Sequence, residues 1–564
     1  MRNKSFRLLT VLVLAAAGIL NTMAENLKIE TLANDNYIIR IARGTTEKYL
    51  LLPIEEAAPE SNVKVIVNNN QQRTLNIRLA LTHIDYYVPF CLDEFRGKNV
   101  VLFTHINIDR SNRGGVGSEI CLKNISLSNT FDTTNREKYR PAYHHTPAYA
   151  WMNDPNGMFY KDGVWHLYYQ YGPYGSMWNN MTWGHSTSTD LIHWQQQPNA
   201  INPDAHGMIF SGSCIVDKDN TAGFGAGAII AMYTSADAVQ SQSIAYSLDG
   251  GQNFTTYEGN PVLTAEIPDF RDPNMFWYEP TRRWILVMSA GQEMRIYSSP
   301  NMKDWTEESR FGRELGCHTG VWECPDLMEL KLPVSKGSKV SKGSKWVLIC
   351  NINPGGPAGG SATQYFIGNF DGHRFTVDDE SRYTSGKALW QDYGKDHYAA
   401  VSFSNAPDGR HTMIAWMSNW QYANAVPTMQ YRSANTIARE PYLYSGADKQ
   451  IYLGSRPSPE YDGKGLDKTI PVKGSCTVTL SNGQGESFDI IYNQKAMTLT
   501  VDRSKSGRTD FSQDFAVPAV APLHNRLSSL RIFIDNSSVE VFGNNGEVVL
   551  TSVVFPQSSF SIKN

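Results

Sequence analysis

The chain has 564 residues, of which 41% are hydrophobic, 11% aromatic and 19% charged, with 44 glycines and 27 prolines. That balance excludes a disordered chain, a coiled coil and a collagen-like fibre, and the length allows a large core without disulfide staples. A formal net charge of −4 gives no pull toward nucleic acid or an anionic membrane.

Arg2, Lys4 and Arg7 form a basic start, Leu8 to Leu20 is apolar, and Thr22-Met23-Ala24 offers small residues at a cleavage point. The apolar run is too short to span a bilayer comfortably. Residues 1–24 therefore read as a removable export signal, with a periplasmic or secreted mature protein and no membrane insertion after cleavage. No cysteine lies near that point, so lipid attachment is not expected.

Residues 25–137 carry alternating runs such as Val63-Lys64-Val65-Ile66-Val67 and Asn99-Val100-Val101-Leu102-Phe103, the pattern of a small β domain. This region holds no chemical motif, and its expected role is packing. Residues 138–445 are dense in Trp, Tyr, Gly and Asn. Four related turns recur there: Ser188 to Trp194, Ser247 to Phe254, Ser299 to Trp305 and Gly368 to Phe375. Their closing aromatics are 60, 51 and 70 residues apart. One four-stranded propeller blade takes roughly 40–50 residues, so the region fits about five blades. The run from Ser335 to Lys345 is a small Lys/Gly/Ser duplication, expected to be a loop between blade strands. Residues 446–564 return to plain alternation, with Leu530 to Asp535 and Val539 to Gly543 flanking a hairpin turn at Asn536-Ser537-Ser538. Helix signals are few, and the fold class is all-β.

The seven cysteines are scattered, and none has CxxC spacing. Most read as small buried hydrophobes, with one oxidised pair left open. The Gly-rich stretch Pro354 to Gly360 lacks the Lys-Ser/Thr and helix of a phosphate loop, and reads as a loop near a pocket rim.

Three segments place a carboxylate among aromatics, glycines and prolines at the start of a strand-like run: Trp151-Met152-Asn153-Asp154-Pro155-Asn156-Gly157, Arg271-Asp272-Pro273 and Trp322-Glu323-Cys324-Pro325. Asp-Pro and Asn-Gly in the first predict a sharp turn. Asp272 follows Asp154 by 118 residues and Glu323 follows Asp272 by 51, about two blades and one blade. Carboxylates so spaced converge on one pocket. Converging carboxylates beside aromatic platforms suit glycoside hydrolysis, in which one attacks the sugar carbon and another protonates the leaving oxygen. A single Asp-Pro is ordinarily a turn cap. Metal binding is the competing reading of clustered acids, but His185, His318 and His397 match no metal template. No metal or cofactor is expected.

These segments, with Trp183-Gly184-His185, Phe210-Ser211-Gly212-Ser213, Asp392 to Ala399 and Phe533 to Phe542, resemble glycoside hydrolase family 32, the β-fructosidases, over about residues 138–564. The resemblance implies a five-bladed β-propeller over 138–445, a C-terminal β-sandwich over 446–564 and a retaining mechanism. It implies Asp154 as nucleophile, Glu323 as general acid and then base, and Asp272 as the residue holding sugar hydroxyls. In retaining enzymes the nucleophile and acid carboxyls lie roughly 5–5.5 Å apart, which is the expectation for Asp154 and Glu323. Trp151, Met152, Asn153, Gln170, Trp178, Phe210, Ser211, Arg271 and Trp420 are the implied substrate-binding residues. Phe210 stands where many members have Trp. Asp392 to Ala399, with the Trp416–Trp420 segment, resembles exo-acting bacterial levanases and inulinases. The expected activity is release of terminal fructose from levan- or inulin-type fructans, with sucrose a further substrate. Endo action, fructosyl transfer and non-catalytic fructan binding are the alternatives. The oligomeric state is left open.

Overall fold

The computed structural model describes residues 26–106, 118–134, 136–334 and 343–562. The expected export signal and residues 335–342 of the Lys/Gly/Ser run lie outside them. No helix of the described residues is long and apolar enough to cross a membrane. The chain divides into two compact units at Asp132, not at the expected residue 137.

The first unit holds a five-stranded antiparallel sheet in the order Leu27–Thr31, Asn36–Ile41, Val100–His105, Ser61–Val67 and Asn70–Ile77. A three-stranded sheet places Tyr49–Ile54 between Tyr86–Cys91 and Ser126–Ser128. The period-2 pattern is visible in Ser61–Val67, where Val63, Val65 and Val67 are buried and Asn62 and Lys64 face solvent.

The second unit opens with five sheets, each a four-stranded antiparallel meander in chain order. Their innermost strands are Ala150–Lys161, Met208–Asp217, Phe270–Tyr278, Val321–Lys331 and Tyr398–Ser402. Each packs on the next, and the last packs back on the first, which closes a five-bladed propeller. The parallel pairing of Tyr431–Arg432 with Ala150 and Trp151 adds backbone bonds across that closure. All four recurrent turns join the third and fourth strands of their blades. In two of them the same device repeats. Trp194 Nε1 donates to Leu191 O and Trp305 Nε1 to Met302 O, both at 3.1 Å, and Leu191 and Met302 both have φ near +60°.

The outer strand of the fifth blade is Ile451–Pro457, so the expected boundary at 445/446 falls inside the last blade. Its plain alternation reads the same as a sandwich strand, and only its pairing with Arg439–Ser445 assigns it. The sandwich follows, with a four-stranded sheet from Asp467–Pro471 to Val548–Val553 and a five-stranded sheet from Ala519–Pro522 to Ser561–Ile562. Phe488, Ile490, Leu499, Leu530, Ile532 and Val541 fill the core between them. In the expected hairpin Asp535 pairs with Ser538, so the loop is only Asn536-Ser537.

One expectation is corrected at the first motif. Asp154-Pro155-Asn156-Gly157 is not a sharp turn but part of the continuous strand Ala150–Lys161. The strand absorbs the irregular residues as bulges. Asn153 and Asp154 together face Gln170, and Gly157 with Met158 face Leu167. Pro155 is tolerated because an innermost strand borders the central channel and bonds fully on one side only. Gly157 has φ 54°, and a Cβ there would lie 2.5 Å from the Trp183 ring, so glycine is required.

Candidate active site

Every innermost strand carries a two-against-one bulge at the same place. The bulged pairs are Asn153–Asp154, Phe210–Ser211, Asp272–Pro273, Cys324–Pro325 and Ala399–Ala400. Asp272, Cys324 and Ala399 lead their bulges with φ of 64°, 42° and 54°. A bulge turns side chains off the regular pleat, and here it gathers residues of five blades at one end of the channel.

Asp154 is held by donors. Asn153 Nδ2 reaches Oδ1 at 3.1 Å, Ser211 Oγ reaches Oδ2 at 2.8 Å, and the Cys324 thiol lies 3.5 Å from Oδ2. The orientation of Asn153 is fixed by Trp151, whose indole N–H donates to Asn153 Oδ1 at 2.8 Å and so leaves the amide nitrogen for Asp154. Asp272 Oδ2 accepts from the Cys324 backbone N–H at 2.9 Å and faces the Cys324 thiol at 3.5 Å. The Asp272 N–H is capped by Thr234 Oγ1 at 3.0 Å.

Glu323 is gripped at both oxygens. Oε1 accepts Arg271 Nε at 3.1 Å and Nη2 at 2.8 Å, and Oε2 accepts the Tyr398 hydroxyl. Arg271 also reaches Asp269 Oδ1 at 2.5 Å. Burial acts against its charge, but Glu323 and Asp272 hold Arg271 firmly protonated.

The three carboxyls differ in their surroundings. Desolvation pushes Glu323 up to about 7, with the charges of Asp272 and Asp154 adding to it and Arg271 opposing. Its side chain is still 20% exposed, so the walls of an open pocket dry it without sealing it. Burial also raises Asp272, aided by Asp154 and opposed by Arg271 and the Cys324 N–H.

The remaining expected site residues surround this centre at different depths. Gln170 is buried opposite the Asn153–Asp154 bulge, and its Nε2 has no partner among the described residues. Trp178 meets Phe210 edge-to-face at 6.2 Å, and Trp183 Nε1 props the Phe210 carbonyl at 3.0 Å. Trp420 is half-buried and stacks on Trp151 at 5.8 Å, with Trp416 behind it at 4.8 Å. Trp151 and Met152 are fully buried, so they support the pocket wall from behind. The Gly-rich segment runs beside Trp420. Asn419 Nδ2 donates to Gly359 O and Ser361 O, and Ser361 Oγ accepts the Trp420 N–H.

Sequence reasoning missed Tyr398 and gave Cys324 no role beyond packing. The signal for both lies in the strand register. Aligned on their bulges, Arg271-Asp272-Pro273, Glu323-Cys324-Pro325 and Tyr398-Ala399-Ala400 are the same three positions of successive blades. All seven cysteines are free, five of them buried, with Cys476 half-buried and Cys91 exposed.

The Asp392 to Ala399 motif connects this centre to the sandwich. Asp392 accepts from Arg439 Nη1 at 2.8 Å and from Thr551 N at 3.0 Å, and Asp396 accepts from Arg503 Nη1 at 2.5 Å and Val553 N at 2.9 Å. Buried His144 bridges Asp535 at 2.8 Å and Glu540 at 2.7 Å, one ring nitrogen to each.

Comparison with known proteins agrees with this architecture. Residues 144–455 match the glycosyl hydrolases family 32 N-terminal domain, and residues 469–563 match its C-terminal domain. Residues 33–143 match a domain of unknown function, DUF4980. A levanase of Bacillus subtilis is 42% identical over 465 residues, covering 75% of this chain and 67% of the levanase. An extracellular exo-inulinase of Aspergillus awamori is 38% identical, covering 75% of this chain and 90% of its own. The crystal structure of exo-inulinase from that organism superposes with a TM-score of 0.68 at 34% identity, covering 76% of this chain and 95% of that one. A fructofuranosidase of Schwanniomyces occidentalis complexed with fructosylnystose superposes with a TM-score of 0.67 at 33% identity, covering 77% and 94%. The chain belongs to glycoside hydrolase family 32.

Proposed function

We propose that this glycoside hydrolase is an exo-acting, retaining β-fructosidase that releases terminal fructose from levan- or inulin-type fructans and also cleaves sucrose. The observation that carries the mechanism is the contrast between Glu323 and Asp154. Glu323 is pushed up to about 7 by burial and so holds a proton near neutrality, whereas Asp154 accepts hydrogen bonds from Asn153 and Ser211 that fix its carboxylate in place. That pairing supplies an acid and a nucleophile in one pocket.

In the first half-reaction Asp154 forms a bond to the anomeric carbon C2 of fructose. The C2–O bond to the leaving group breaks, and the Glu323 proton passes to the departing oxygen. In the second, water attacks C2, its proton returns to Glu323, and the bond to Asp154 breaks. Asp272 binds sugar hydroxyls and Arg271 orients Glu323. Asn153, Gln170 and Ser211 offer polar contacts, while Trp178, Phe210 and Trp420 offer flat faces for the ring.

The kinship with a levanase and an extracellular exo-inulinase supports the substrate class and the exo mode. It also supports export, with residues 1–24 as the cleaved signal and the periplasm or the medium as destination.

The acid assignment is tested with Glu323→Ala. Activity on sucrose falls about 10²–10⁴-fold, and on a fructoside whose leaving group needs no proton the first half-reaction, read as leaving-group release with azide supplied as the second nucleophile, recovers most of its rate. No recovery on that substrate would remove Glu323 from the acid role.

A further inference from the structure

Arg271, Glu323 and Tyr398 occupy one structural position, the residue just before the bulge, on three successive innermost strands. Blade curvature brings these side chains into a row, with Glu323 between two donors. The two donors differ in kind. Arg271 is a permanent cation and spends two N–H groups on Oε1, while Tyr398 is neutral and spends its hydroxyl on Oε2.

A carboxyl oxygen that accepts two hydrogens from a guanidinium has no lone pair free for a proton. The proton of the acid form is therefore excluded from Oε1 and belongs on Oε2. We propose that Tyr398 is a positioning residue for the acid/base step and that Oε2 of Glu323 is the oxygen that gives up and recovers the proton. This rests on the assignment of Glu323 as acid/base.

Tyr398 serves both halves of the reaction. When Oε2 carries the proton, the Tyr398 O–H still donates to the remaining lone pair of Oε2 and fixes the side-chain rotamer, so the proton itself is left to the leaving group. When the proton has left, the Tyr398 O–H stabilises the new carboxylate until water arrives. A second cation in place of Tyr398 would hold Glu323 ionised and unable to protonate a leaving group.

The position of Tyr398 is fixed from two sides. Asn351, fully buried, donates to Cys324 O at 2.8 Å and accepts from Ala400 N at 3.1 Å, tying the bulge after Glu323 to the bulge after Tyr398. Upstream, Asp392 and Asp396 anchor the same short segment to the sandwich strand Val548–Val553. The sandwich thereby acts on the catalytic pocket through the five residues between Asp392 and Tyr398 without entering it.

The test is the pH profile of kcat/KM for fructose release from inulin. The charged and titratable groups around Glu323 are Arg271, Asp272, Asp154, the Cys324 and Cys350 thiols and Tyr398. Only the last is changed in Tyr398→Phe. Loss of a donor to the carboxylate disfavours the charged form, so the basic limb moves to higher pH, by about one unit. kcat falls roughly 10-fold, while KM stays within about twofold, because the substrate contacts are untouched. Tyr398→Met serves the same comparison if the phenylalanine variant lacks a cooperative melt. A folded variant whose basic limb coincides with that of the parent overturns the proposal, even if its kcat is lower. Glu323→Gln separates the two levels. A basic limb that persists in that variant removes the acid assignment itself, whereas a limb lost there but unmoved in Tyr398→Phe removes only the role of Tyr398.

Discussion

Cys324 presents both its backbone N–H, at 2.9 Å, and its thiol, at 3.5 Å, to the same Oδ2 atom of Asp272. A left-handed φ of 42° turns the peptide toward the carboxylate. The thiol also faces Asp154 at 3.5 Å, so one small side chain touches both carboxylates. Cys324→Ala keeps the N–H and loses only the weak S–H donor, so kcat/KM falls a few-fold. Cys324→Val puts a branched side chain at a strained φ and lowers the melting temperature as well. Kinetics and thermal melts of the two variants check this.

The thiol itself is inert. Burial, followed by the charges of Asp272 and Asp154, pushes Cys324 well above the ordinary range of a thiol. Iodoacetamide leaves Cys324 unmodified in the folded enzyme and modifies it after denaturation, read by peptide mass spectrometry. The exposed Cys91 is modified in the folded enzyme.

The proposed role of Glu323 as general acid sets a pH dependence of activity. A general acid works only when protonated, so kcat/KM holds while Glu323 keeps its proton and declines as the pH rises through about 7. Arg271→Lys removes the forked grip on Oε1, weakens the stabilisation of the carboxylate and moves this decline upward. A pH–rate series on both proteins measures it.

Stability has a separate pH signature. His144 is raised from 6.5 to about 9 because the side-chain bonds to Asp535 and Glu540 overcome the desolvation that opposes its charge. A raised folded value means the stabilisation is complete below pH 6.5 and is lost between 6.5 and 9. The melting temperature therefore declines across that window. In His144→Gln this decline is absent, and the variant is less stable by about 3–5 kcal/mol at pH 6, since it leaves two buried carboxylates without their cation. Calorimetry at pH 6, 7.5 and 9 separates the two proteins.

Much of this architecture was legible in the residues. The turns closing on Trp194, Phe254, Trp305 and Phe375 marked four of the five blades, because each needs a tight polar turn followed by an aromatic plug. The carboxylates were legible because Asp154 and Asp272 each precede a proline and Glu323 lies two residues before Pro325, where a regular strand would carry none. The bulges were not. A bulge is a relation between two strands, and Asp154-Pro155-Asn156-Gly157 alone reads as a turn. Tyr398 was hidden for a similar reason, since its partner Glu323 lies 75 residues earlier and only blade-to-blade alignment brings them together. The pairing of Asp396 with Arg503 spans 107 residues and leaves no local pattern at all.

The retaining chemistry has its own readout. In the proposed mechanism, displacement by Asp154 and then by water inverts C2 twice, so the first fructose released has the configuration of the substrate. Proton NMR within the first turnovers shows β-fructofuranose before mutarotation.

The central claim is that this pocket removes fructose one unit at a time from the end of a fructan. The most direct measurement is chromatography of the products from levan and from inulin at early times. The account predicts free fructose as the dominant product from the first time point, with the polymer shortening slowly. A ladder of oligosaccharides with little free fructose would contradict it.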